Sequence, residues 1–160
     1  MRWPQPVRAI RDQDGNVAIE FALLAPILFM LILFMFDLGI LLFTQATIDN
    51  ATQQAARQLQ IGGSLRDATG VQVKNFICKK MGALASSCSA IQVYATSGAT
   101  FSNLRAATVT GTTMSPQTFT PGTSKSFVLL QVAYYTPFAA TINGISSPVL
   151  TSAFAFQNEY

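Results

Sequence analysis

From Phe21 to Phe43 the chain reads FALLAPILFMLILFMFDLGILLF, 23 residues with a single charge, Asp37. At about 1.5 Å of rise per residue this block makes a helix of roughly 34 Å, enough for a hydrocarbon layer of about 30 Å. It is therefore read as a transmembrane helix over residues 16–43, with Pro26 a turn or so inside it, where lipid tolerates a kink. Arg2, Arg8 and Arg11 precede the block, and the next basic residue after it is Arg57. Positive charge is retained in the cytoplasm, so residues from about Thr44 onward are expected to be exported. A cleavable secretory signal cut after Ala46 is the other reading, although its apolar region would exceed the usual 7–15 residues or so.

Composition narrows the chemistry. The chain has 160 residues, no histidine, and only 11% charged residues, against about 25% in an ordinary soluble domain. Histidine-dependent triads and histidine zinc sites are excluded. No cofactor, metal or small-molecule substrate is expected. Ser and Thr are abundant, but no S-x-x-K motif activates one, and nothing pairs two exported carboxylates. The net charge of +3 is not gathered into a basic patch along the sequence, which argues against a nucleic-acid partner.

Two carboxylates bracket the apolar block. Glu20 and Asp37 are 17 positions apart, or roughly 25 Å along a helix, too far to pair within one chain. Asp37 sits near the expected outer interface, as an interfacial or helix–helix polar contact. Glu20 follows a short polar, basic segment that ends in Gly15. Cleavage after Gly15 would create an α-amine at Asn16, at the membrane depth of a neighbouring chain's Glu20. An ion pair between them would offset the burial cost of both charges and set the register of one subunit on the next. A simple headgroup position for Glu20 is the plainer alternative.

Gly15, four residues and then Glu20, opening a long apolar helix, resemble the class III signal of type IV prepilins and pseudopilins. Arg11-Asp12, Gly15, Ala18-Ile19-Glu20-Phe21-Ala22-Leu23 and Pro26, with Asp37 and Gly39 farther along, resemble the TadE-like family of the tight-adherence (Flp) pilus. Asn50-Ala51-Thr52-Gln53-Gln54-Ala55-Ala56-Arg57 is similar to a further segment of that family, and Phe154–Tyr160 to its closing N-E-P motif, here without the proline. The resemblance implies a leader of residues 1–15 removed by a prepilin peptidase, and subunit registry through Glu20. It also implies association with other pilins and Tad assembly proteins in the inner membrane, in a pilus used for adhesion, surface colonisation or biofilm formation. Asn16 is a polar first mature residue where pilins prefer an aromatic one.

The implied fold is α+β and pilin-like: a long N-terminal helix packed on a small antiparallel sheet, with a second short helix, in an exported head of residues 44–160. Ile48, Ala51, Ala55 and Leu59 recur at steps of three and four, extending the first helix to about residue 60, where Gly62-Gly63 stops it. A second helix is expected from about Asp67 to Leu84, capped by Asp67 or Thr69. Val71, Asn75, Cys78 and Met81 are read as one of its faces, and Lys74, Lys79 and Lys80 as a solvated one. Strands are expected at Ile91–Ala95, Phe127–Tyr135 and about Val149–Phe156. The second is apolar on both alternations, which suits a central strand, and Pro137 would stop it. Residues 96–126 hold 14 Ser or Thr among 31 and read as a long polar loop with a poor hairpin near Ala106–Thr113. Cys78 and Cys88, in the exported part, are expected to form a disulfide. An uncleaved membrane-anchored binding or adhesin-like module remains the alternative function.

Overall fold

The computed structural model describes residues 14–85, 87–136 and 149–160, with side chains from residue 18 onward. The chain divides into two compact units, Met1–Gly39 and Ile40–Tyr160. Helix α1 (Asp14–Gln60) contributes to both. The expected stop at Pro137 and the flanking Arg2, Arg8 and Arg11 lie outside the described residues.

In the first unit, α1 is apolar all round: Phe21, Leu24, Phe29 and Phe34 are each more than half exposed although they point to different sides of the helix. A helix hydrophobic on every side belongs in a large core or in lipid. Among the described residues it is the one helix long and apolar enough to cross a membrane. Pro26 lies within it, and α1 continues without interruption past Ala46.

In the second unit the expected stripe is the buried one. Ile48, Ala51, Ala55 and Leu59 are all 2% exposed or less, and the alanines let the helix approach a sheet closely. Gly62, at φ +64°, ends the helical region, a conformation that costs a residue with a Cβ. Helix α2 (Gly70–Met81) opens with a capping box: the Gln72 N–H donates to Thr69 Oγ1 and the Thr69 N–H to Gln72 Oε1. Thr69, not Asp67, is thus the cap, because it satisfies two groups reciprocally. The buried face of α2 is Val73, Ile77, Cys78 and Met81. The expected face is corrected here: Val71 is 66% exposed and Asn75 is exposed. The i, i+4 series Val73, Ile77, Met81 carries more apolar volume and sets the rotation of the helix.

Strands β1 (Ile91–Gly98), β4 (Phe127–Tyr135) and β5 (Val149–Gln157) form an antiparallel sheet in the order β1-β4-β5, with β4 central. Val132 stands opposite Val93 on one side and Ser152 on the other. Val128, Leu130, Val132 and Tyr134, all fully buried, join α1 and α2 in one core. Each such side chain contributes about 1.5–3 kcal/mol by leaving water.

The opposite face of the sheet is also covered. Strands β2 (Thr108–Thr110) and β3 (Thr113–Ser115) pair as a short hairpin. Ala107 and Met114 pack with Tyr94 and Ala133 in a second, smaller cluster. Residues 96–126 thus hold the hairpin expected near Ala106–Thr113, found at Thr108–Ser115, which docks on the sheet through Ala107 and Met114, and β1 extends to Gly98 beyond its expected end. The fold is α+β, with a long N-terminal apolar helix, a short second helix and small antiparallel sheets.

Candidate functional site

The candidate assembly residues lie along α1. Gly15 and Asn16 fall in its first turn. Glu20 follows, exposed, while Asp37 is half-buried. Their separation of 17 positions in one continuous helix keeps the two carboxylates roughly 25 Å apart, so the structure does not bring them together. Each therefore faces whatever surrounds the helix, and neither forms a site with the other.

Cys78 and Cys88 do meet. They form a disulfide with a Cα–Cα distance of 5.5 Å, tying the last turn of α2 to the turn before β1. Both cysteines are consumed by it, and no free cysteine remains. Among the described residues, no group of three His, Cys, Asp or Glu side chains is placed to hold a metal ion. Burial pushes the Tyr135 phenol above its ordinary pKa, and its Oη has no hydrogen-bond partner among the described residues.

Residues 158–160 fasten the head at three places. The buried Asn158 donates through Nδ2 to the carbonyls of Pro121 (2.9 Å) and Thr123 (3.1 Å). Glu159 bonds the end of α1 through Gln60. The Tyr160 ring lies 3.0 Å from where a Cβ on Gly62 would stand, with the Arg66 guanidinium 4.6 Å from its centre. Gly62 is therefore required by this close approach as well as by its positive φ. The sequence marks Asn158 and Glu159 only through the resemblance of the closing motif.

Two glutamines were not singled out in the sequence at all. Gln131, on the central strand, accepts from the Ala107 N–H (2.9 Å) and donates to the Ala107 carbonyl (3.2 Å). Gln92 accepts from the Met114 N–H (2.7 Å) and donates to the Thr112 carbonyl (3.1 Å). Both side-chain amides thus act as short pieces of strand, satisfying backbone groups that the 96–126 layer would otherwise leave unpaired. The one signal for Gln131 is its polarity within a strand apolar on both alternations.

The family model described as TadE-like protein matches residues 15–57, which is 43 of the 160 residues. The match begins at Gly15, includes Glu20 and Asp37, and ends at Arg57, inside the last turn of α1. Neither a curated relative nor a solved structure matches the chain.

Proposed function

Taking the chain as a TadE-like protein of the Tad pilus system over residues 15–57, we propose that it is a non-enzymatic minor pilin or pseudopilin. Its α1 anchors it in the inner membrane with the N-terminus cytoplasmic and the head periplasmic. A prepilin peptidase cuts after Gly15, leaving Asn16 as the first residue. The new amine is a cation at the N-terminus of α1, where the helix dipole disfavours it, and the Glu20 carboxylate of an adjacent subunit offsets that cost. Other pilins and Tad assembly proteins are its partners, in a pilus that serves adhesion and surface colonisation.

The observation that carries this reading is the placement of the family match, which starts at the glycine and takes in the carboxylate and the apolar helix together. Mass spectrometry of the protein from membranes of piliated cells is expected to find Asn16 at the N-terminus. A full-length chain persisting beside an active prepilin peptidase overturns the reading. Glu20→Lys is expected to leave cleavage intact and abolish incorporation into the pilus; normal piliation in that variant removes the registry role.

One observation favours a retained anchor. Helix α1 already includes Asp14, so the Gly15–Asn16 bond lies in helical backbone, and a peptidase needs that turn to open. In this second reading the chain is a single-pass anchored module whose head binds partners without processing, and the same mass measurement separates the two.

A further inference from the structure

Cations scattered along the sequence converge around one phenyl ring in the head. Arg57 lies in the last turn of α1, followed by Ile61, which is 51% exposed. Phe76 lies on α2, with Lys79 and Lys80 in its last turn. The Lys80 ammonium stands 5.6 Å from the centre of the Phe76 ring. Arg57, Gln58, Ile61, Phe76 and Lys80 line a groove of about 400 Å³ with no carboxylate in its own lining, although Arg57 and Ile61 also border a neighbouring groove that includes Glu159. A second groove, which shares Phe76 and Ser64 with the first, is lined by Arg66 and Lys79, and there Asp67 contributes an acid. Lys79 and Lys80 are exposed, as a solvated helix face requires, and the fold brings Arg57 and Lys80 to one groove although they lie far apart in the sequence. Favourable interaction with helix C-termini accounts for Arg57, Lys79 and Lys80 taken singly. It does not account for an apolar floor between them; Arg66, in the connecting turn, is already taken up by the Tyr160 ring.

We propose that the first groove docks an acidic segment of another protein, with carboxylates meeting Arg57 and Lys80 and an adjacent apolar side chain meeting Ile61 and Phe76. The proposal does not depend on cleavage at Gly15. Charge selects the class of partner. Residues 44–160 hold seven basic and three acidic side chains, so a second copy on this face would set cations against cations. A nucleic acid or lipid surface would use the charges but leave the Ile61–Phe76 floor unfilled, and so few cations give such surfaces little affinity.

The test uses the full chain in detergent micelles and a fluorescent peptide of alternating Glu or Asp with Leu or Phe. Its controls are the same peptide with Gln and Asn in place of the acids, and vesicles of phosphatidylcholine and phosphatidylglycerol. Saturable binding of the acidic peptide alone is expected. It should weaken about tenfold in the Arg57→Gln/Lys80→Gln double variant, as two exposed ion pairs allow, and again in Ile61→Ser. All three positions are solvent-facing, so the variants are expected to fold. Arg105→Gln, whose carbonyl accepts from Tyr94 on the other face of the sheet, should bind as the unaltered chain does. Absence of peptide binding, equal binding by all variants, an equal loss in Arg105→Gln, or vesicle binding that alone depends on Arg57 and Lys80 overturns the proposal.

Discussion

Gln60 and Glu159 are joined twice. The Glu159 N–H donates to the Gln60 carbonyl at 2.9 Å, and Gln60 Nε2 donates to Glu159 Oε1 at 2.8 Å. An orphan carbonyl in the last turn of α1 is thereby satisfied by chain 99 positions away rather than by water. The helix that carries the apolar block thus ends on the segment leaving β5. With Asn158 and Tyr160 on either side, three consecutive residues hold the 121–126 loop, the end of α1 and the turn after it.

Asn158 is the most sensitive of the three. It is 2% exposed, and its two short donated bonds go to backbone carbonyls. Asn158→Leu removes the donor to the Pro121 carbonyl, while the Thr123 carbonyl keeps the Ser126 N–H and Oγ as donors. The substitution is expected to cost about 1–2 kcal/mol. Thermal unfolding followed by circular dichroism measures the loss. Hydrogen exchange should rise first in residues 121–126, and unaltered protection there would contradict the role assigned to the amide.

The Cys78–Cys88 bond closes a short loop, since the two positions are 10 apart in sequence. In the chain-entropy account such a closure contributes about 2–3 kcal/mol. Reductant, or the paired substitution Cys78→Ser/Cys88→Ser, is expected to lower the melting midpoint of the head by about 10 °C. A midpoint insensitive to reductant would mean that the turn before β1 is held by packing alone.

Much of this fold is legible in the sequence because apolar periodicity carries it. Ile48, Ala51, Ala55 and Leu59 announce their buried face at helical spacing. The double alternation of Phe127–Tyr135 marks the strand flanked on both sides. The α2 face is misread because Val71 offers a competing phase that only the volume of Val73 and Ile77 resolves. The hairpin within 96–126 is legible, but its docking is not: glutamine side chains bond its backbone groups, and such bonds leave no period. Glu20 and Asp37 stand out because charge is costly in an apolar helix, but what each meets is set by the surroundings of that helix, which intrachain contacts do not reveal.

Gln131 is the more buried of the two docking glutamines. Its residue is 8% exposed and its amide satisfies both backbone groups of Ala107. Gln131→Leu keeps the volume and strand propensity but orphans a buried N–H and a carbonyl, at an expected cost of about 2 kcal/mol. The β2–β3 hairpin should then gain hydrogen exchange while α1 and α2 keep theirs. Uniform loss of protection across the head would show that the layer is not separately anchored.

Tyr135 links stability to alkaline pH. Its pKa is raised by burial in the folded state, so folding favours the protonated phenol. That contribution is complete below the unfolded value, near 10, and is lost as pH rises through the higher folded value. Melting midpoints measured from pH 8 upward should therefore fall beyond about pH 10. The fall should be shallower in Tyr135→Phe, and equal slopes would remove this phenol as its source.

Thr52 offers a gain rather than a loss. It is fully buried on the face of α1 that also carries Ile48, Ala55 and Leu59, and its Oγ1 has no hydrogen-bond partner among the described residues. A buried hydroxyl left unpaired costs about 1–3 kcal/mol on the scale of protein substitutions. Thr52→Val keeps the β-branch, and with it a similar side-chain entropy in the helix, while replacing the hydroxyl with a methyl group of nearly the same size. The expected result is a head stabilised by about 1 kcal/mol, read as a melting midpoint higher by about 4 °C. Thr52→Ala separates the two contributions, because it removes the hydroxyl and also opens a methyl-sized gap, and it should be less stable than Thr52→Val. Destabilisation by valine would mean that the hydroxyl has a partner in the assembled protein.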